Sequence, residues 1–131
     1  MKSVQVEQFT QNFDNVKVVD VKKPEPGPGQ VRVRMLLSSV NPSDFNFIRG
    51  DYEAALQRII WNFNQEVVCF DPARQQPYPK LPYALGGEGV GIVDACGSGF
   101  LAKRLKGKRV AVPAGPPNGA WQEYTLVEAK K

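Results

Sequence analysis

Proline and glycine cut this chain into short pieces. Between Lys23 and Gln30 it reads Lys23-Pro24-Glu25-Pro26-Gly27-Pro28-Gly29-Gln30. Proline fixes φ and has no N–H, and glycine weakens either regular structure, so this stretch can continue neither a helix nor a strand and forms a rigid connecting loop. Pro72, Pro77, Pro79 and Pro82 impose the same break until Tyr83. The runs left between breakers are strand-sized. Val4 and Val6, then Val16, Val18 or Val19, and Val21 are spaced as two strands with Asn12–Asn15 as the turn. Val31, Val33, Met35 and Leu37 alternate with Arg32, Arg34 and Leu36, the clearest strand of the chain. Arg109–Val112 and Trp121–Val127 are further strands. Short strands with this punctuation imply a mainly β domain, α+β only at its margins, built as a small barrel or sandwich.

Two helical segments are expected. Asn41-Pro42 marks a turn, after which Ser43 or Asp44 could cap a short helical turn through Phe47 or Ile48, ended by Gly50. From Glu53 to Phe63, Leu56, Ile59, Ile60 and Phe63 recur at helical spacing, which predicts an amphipathic helix of about three turns. The run Gly86-Gly87-Glu88-Gly89-Val90-Gly91-Ile92-Val93-Asp94-Ala95 reads as a glycine-rich strand, its glycines marking a bend or the close approach of another backbone. It is not a dinucleotide fingerprint: the Gly-x-Gly-x-x-Gly spacing is missing, Val90, Ile92 and Val93 continue a strand, and no βαβ unit follows.

At 131 residues the chain has room for one domain. No apolar run approaches the roughly 20 residues that cross a bilayer, and Met1–Gln8 has no signal-peptide core, so a cytoplasmic protein with no membrane partner is expected. The two cysteines, Cys69 and Cys96, lack metal-ligand spacing and are read as reduced. Histidine is absent, which removes the commonest general base and the commonest zinc ligand. The net charge of +4 owes much to Lys103–Arg109. No aromatic residues interleave with those cations to stack bases, so the run reads as a solvated turn entering a strand, and nucleic acid is not expected as a partner.

Four segments, in order and approximate register, resemble the medium-chain dehydrogenase/reductase superfamily. They are Pro26–Val33; Asn41-Pro42-Ser43-Asp44 with Ile48-Arg49-Gly50-Asp51-Tyr52; Leu81–Gly91; and Gly107–Val112 with Gly119–Tyr124. The resemblance implies a GroES-like, partly open β-barrel with one inserted helix, the substrate-side catalytic domain of such an enzyme. Its zinc-dependent members carry a ligand Cys and a His where this chain has Asn41 and Gly87, and their four-cysteine structural loop has no counterpart. The chain is therefore similar to the zinc-independent branch of quinone oxidoreductases and 2-enoyl thioester reductases.

That branch moves a hydride from NADPH to an activated alkene or a quinone. By resemblance, Tyr52 matches the tyrosine implicated as proton donor, a role that a phenol protonated at neutral pH can fill. Asn41, Ser43, Asp44 and Glu88 are the residues expected to orient cofactor or substrate; Asn41 and Asp44 can equally serve as turn and cap residues, and Glu88 can brace the glycine strand. NADPH is expected to bind mainly outside this chain, with no metal. Residues 53–80 form an insertion relative to the family, next to Tyr52. The family's Rossmann domain and the return segment of its catalytic domain are missing, so residues 1–131 are read as an incomplete GroES-like domain, either excised from a longer protein or the product of a shortened gene. A small-molecule substrate and a possible homodimer complete the expectation. The alternative is a non-enzymatic GroES-like interaction module using the apolar face of Glu53–Phe63; a co-chaperonin role is disfavoured by the Asn41–Tyr52 constellation.

Overall fold

The computed structural model describes residues 1–52 and 79–130, together with the backbone of 59–62 and 67–70. In chain order the elements are β1 (Lys2–Val6), β2 (Val16–Asp20), β3 (Gln30–Ser38), α1 (Pro42–Arg49), β4 (Ile59–Asn62), β5 (Val67–Phe70), β6 (Tyr83–Ala84), β7 (Glu88–Cys96), α2 (Phe100–Leu105), β8 (Arg109–Pro113) and β9 (Tyr124–Glu128). They form a three-stranded sheet β2-β1-β6, a four-stranded sheet β8-β7-β3-β9 and the hairpin β4-β5, with antiparallel pairing throughout. No helix among the described residues is long and apolar enough to cross a membrane.

β3 is central because it alternates apolar and polar side chains and carries no proline. It pairs with β7 on one side and β9 on the other, with register shifts between Arg32 and Val33 and between Met35 and Leu37. Such irregularities bend a strand and let a sheet curl. The glycines of β7 have a steric cause. A Cβ on Gly91 would lie 2.4 Å from both the Arg34 carbonyl oxygen and Val33 Cγ1, and one on Gly89 would lie 2.5 Å from Met35 Cε. The expected close backbone approach is therefore real, and its partner is β3.

Trp121–Glu123 stitches the two sheets together. Trp121 O accepts the Val4 N–H at 2.8 Å and Glu123 N–H donates to Lys2 O at 3.0 Å, on the β1 side. Glu123 O then accepts the Met35 N–H at 2.9 Å, on the β3 side, before β9 begins. The expected strand over Trp121–Val127 is thus two pieces with different partners. The core is correspondingly divided. Val31, Val33, Val93, Ala102 and Val112 fill the space under the four-stranded sheet, and Val6, Ile48, Tyr83 and Leu85 fill that between the smaller sheet and α1.

Three expectations need correction. The helix over Glu53–Phe63 is contradicted at its C-terminal half, where Ile59–Asn62 is a strand paired with Val67–Phe70; residues 53–58 and 63 lie outside the described residues. Leu56, Ile59, Ile60 and Phe63 satisfy a helical period over a short window, but the β-branched and aromatic run Ile59-Ile60-Trp61 favours a pleated strand. The apolar helical face required by the interaction-module reading is accordingly lost at 59–62. The cap of α1 is Asn41, not Ser43 or Asp44. Pro42 explains this, since proline at the first helical position has no N–H to leave unsatisfied and a preset φ. Lys103–Leu105 is the end of α2 rather than a turn; the turn follows and leads into β8 as expected, and Lys103, Arg104, Lys106, Lys108 and Arg109 are all exposed.

Candidate active site

The candidate residues fall into two clusters, one at each end of α1. At its N-terminus Asp44, only 1% exposed, accepts the backbone N–H of Asn41 through Oδ2 at 2.7 Å and that of Gly87 through Oδ1 at 3.0 Å. A buried carboxylate is tolerated when N–H donors satisfy it, and the N-terminal turn of a helix favours negative charge. The same residue therefore closes the first turn of α1 and clamps the start of the glycine strand to it. Asn41 donates both amide hydrogens, to Ser39 Oγ at 3.1 Å and to Glu88 Oε1 at 3.0 Å. Ser39 Oγ also donates to Glu88 Oε1 at 3.2 Å, while Trp121 Nε1 holds the Ser39 carbonyl at 2.8 Å. Trp121 thus both packs against the smaller core cluster and anchors this loop.

Asn41, Asp44 and Glu88 are thus brought together, with Ser39 as a member that sequence reasoning missed. Ser43 sits between them in the first turn of α1, half-buried, its hydroxyl making no hydrogen bond among the described residues. Glu88 and Ser39 border an open cleft of about 690 Å³ whose other walls include Leu37, Val90, Val112 and Pro113. With both amide hydrogens committed, Asn41 could hold a substrate carbonyl only if its contact with Glu88 opened.

Tyr52 belongs to the other end. α1 has eight residues and spans about 12 Å, and Tyr52 follows its C-terminus. The helix stops at Gly50, which adopts φ 80°, while Asp51 N–H donates back to Asn46 O. That reversal returns Tyr52 to the helix it has just left. Its hydroxyl oxygen accepts Asn46 Nδ2 at 2.9 Å, and its ring meets Phe47 edge-to-face at 4.9 Å. Phe47 in turn stacks edge-on against Tyr83, whose hydroxyl donates to the Phe47 carbonyl at 2.6 Å. Arg49 donates to Asn46 Oδ1 at 2.9 Å and to Asp51 Oδ2 at 3.0 Å. Among the described residues the Tyr52 hydroxyl donates to no acceptor. Asn46 and Arg49 also went unnoticed in the sequence; the signal was the reversal at Gly50, which makes residues six apart neighbours.

Neither zinc nor a dinucleotide pyrophosphate fits what the described residues offer. Asn41 presents an amide and Gly87 no side chain where ligands would stand, and no three His, Cys, Asp or Glu side chains are grouped to hold a metal among the described residues. β7 begins at Glu88, after Gly86 and Gly87, and pairs antiparallel on both sides through Gly89 and Gly91, so no glycine turn opens a helix to cradle phosphates.

The sequence from residue 27 to residue 131 matches the family described as the alcohol dehydrogenase GroES-like domain. The chain belongs to that family. This GroES-like domain is 34% identical over 112 residues to the mitochondrial enoyl-[acyl-carrier-protein] reductase of Bos taurus, covering 83% of this chain and 23% of the relative. It superposes on a quinone oxidoreductase structure from Pseudomonas syringae with a TM-score of 0.66 at 27% identity, over 97% of this chain and 31% of the other. It shares its fold with a mycobacterial protein solved with NADPH, TM-score 0.68 at 24% identity, over 98% of this chain and 30% of that one. The GroES-like domain therefore spans about a quarter to a third of the length of these proteins, which places it in the medium-chain dehydrogenase/reductase superfamily as a part of the oxidoreductase architecture.

Proposed function

We propose that this domain forms the substrate side of an NADPH-dependent oxidoreductase that reduces an activated alkene, such as an enoyl thioester or an enone, or a quinone, without zinc. The observation that carries the reading is the Tyr52 hydroxyl, held by Asn46 and without an acceptor for its own proton among the described residues. The enoyl reductase and quinone oxidoreductase relatives support the substrate class, and the NADPH complex of a protein of the same fold supports the cofactor.

NADPH, bound mainly outside this domain, would supply the hydride. Reduction at the β-carbon of an enoyl substrate leaves an enolate, which needs a proton at the α-carbon. Tyr52 supplies that proton. The Asn41–Ser39–Glu88 cluster shapes the edge of the cleft, and Asp44 keeps it registered against α1. The lack of suitable ligands at Asn41 and Gly87 supports a reaction that needs no zinc.

The test is NADPH oxidation by the full-length protein with a trans-2-enoyl thioester and, separately, a quinone, before and after treatment with a zinc chelator. Turnover of one class that survives the chelator is expected. A Tyr52→Phe change should lower enoyl reduction by on the order of 10²-fold. Turnover that disappears on chelation and returns with zinc, or that ignores Tyr52→Phe, refutes the corresponding half of the reading.

A further inference from the structure

We infer that Asn46, oriented by Arg49, is a positioning residue that aims the Tyr52 proton away from α1. The inference rests on Tyr52 being the acid of the proposed reaction and adds the device that makes it one.

Donor and acceptor chemistry decides the orientation. An Asn amide can present either its oxygen or its nitrogen to a neighbour, and a neighbouring hydroxyl accepts both arrangements. Arg49 removes the choice. A guanidinium only donates, so the Asn46 atom 2.9 Å from it has to be Oδ1. The Nδ2 group must then face Tyr52, where it lies 2.9 Å from the hydroxyl oxygen. A phenolic oxygen that receives an N–H on one side cannot direct its own O–H along the same line. The hydroxyl proton is therefore turned away from Asn46, and among the described residues nothing else takes it. Asp51 takes the neighbouring Nε–H of the same guanidinium edge at 3.0 Å, so the orientation passes from carboxylate to guanidinium to amide to phenol.

This arrangement depends on the reversal at Gly50. Residues six apart do not share a helix face, so Tyr52 reaches Asn46 only because the chain turns back after α1. An ordinary C-terminal turn needs none of these side chains, because the backbone bonds from Gly50 and Asp51 to Asn46 O already close it.

Asn46→Asp is the informative change. It preserves shape and still accepts from Arg49, but it presents only acceptors, so it draws the Tyr52 proton back toward α1. In the full-length protein kcat for the enoyl substrate should fall on the order of 10-fold or more, with KM little changed, because the interaction matters to proton delivery rather than to binding. In a Tyr52→Phe background the same change should cost nothing further, since the two residues would act through one proton. A separate readout needs no turnover: in the 131-residue chain, Tyr52→Phe should move the side-chain amide resonances of Asn46 and leave those of Asn118 in place.

Full turnover in Asn46→Asp beside a crippled Tyr52→Phe overturns the positioning role and leaves the proposed function standing. So does a cost of Asn46→Asp that is as large in the Tyr52→Phe background as in the parent. Unmoved Asn46 resonances overturn it even if Asn46→Asp fails to fold. A Tyr52→Phe protein with normal turnover ends both readings together.

Discussion

Asp44 and Gly87 stand 43 residues apart in the chain and are joined by a 3.0 Å bond from the glycine N–H to the aspartate Oδ1. The same carboxylate holds the Asn41 N–H at 2.7 Å, so one buried side chain sets the distance between the start of α1 and the start of β7. Asp44→Ala would leave two backbone donors without their acceptor and should cost about 3 kcal/mol, whereas Asp44→Asn keeps one acceptor and should cost roughly half as much. Urea midpoints of the two variants against the parent check both the size and the order; equal midpoints would remove Asp44 from this role.

Arg32 and Asp94 supply the clearest pH dependence. Arg32 Nε donates to Asp94 Oδ1 at 2.9 Å and its second nitrogen to Oδ2 at 3.2 Å, with Lys23 3.5 Å from Oδ2. Burial pushes the Asp94 carboxyl up, but the bonds and charge of Arg32, helped by Lys23, outweigh it and hold the group below its ordinary 3.8. A carboxyl with a depressed folded-state pKa stabilises the fold above its unfolded value, and that contribution is lost as pH falls through the folded one. Thermal melts from about pH 6 down to about pH 2.5 should therefore show a loss of Tm below about pH 4 that is shallower in Asp94→Asn, a variant already about 2 kcal/mol less stable at neutral pH. An identical acid limb in the variant would contradict this.

β7 tolerates no side chain at Gly91. Its Cβ would meet the Arg34 carbonyl and Val33, neither of which can swing aside in the central strand. Gly91→Ala should cost at least about 2 kcal/mol through displaced backbone. Gly87→Ala, where the nearest atom is 3.7 Å away, should change stability far less. Equal denaturation curves for the two variants would show that β3 and β7 can separate without penalty.

The Trp121 side chain contributes a single directed bond besides its packing. Trp121→Phe keeps much of the apolar volume and frees the Ser39 carbonyl, at a cost of about 1 kcal/mol. Added disorder should appear in the Ser39–Asn41 segment, measurable as faster amide hydrogen exchange there than in the parent. Unchanged protection would make the indole a packing residue alone.

The strand pattern was legible because β3 alternates from Val31 to Met35 and the prolines mark where pairing must stop. Gly86–Gly91 could be rejected as a nucleotide turn because Val90, Ile92 and Val93 kept the period of a strand. The failures have physical causes as specific. Leu56, Ile59, Ile60 and Phe63 keep helical spacing, and only the strand partner Val67–Phe70 shows that Ile59–Asn62 is extended. Asn41 was legible as a turn residue, but its bond to Glu88 depends on how β7 returns beside α1, a contact 47 residues away that no local pattern encodes. Tyr52 stood out by resemblance alone. Asn46 and Arg49, which define its surroundings, look like ordinary polar residues on a surface helix until the backbone reverses after them.

The seam at Trp121–Glu123 has a consequence for how the molecule comes into being. The Lys2 N–H ends on the Glu123 carboxylate at 2.6 Å, a partner 121 residues downstream, and β3 borders β9, which begins only at Tyr124. A nascent chain emerging from the ribosome could make the β1–β2 ribbon early and pack it against α1 and β6, yet the seam that joins this layer to the four-stranded sheet is missing until Trp121–Glu128 has been synthesised. Assembly is therefore a late, concerted event, slow for a domain of this size, and deleting Tyr124–Glu128 should unravel the beginning as well.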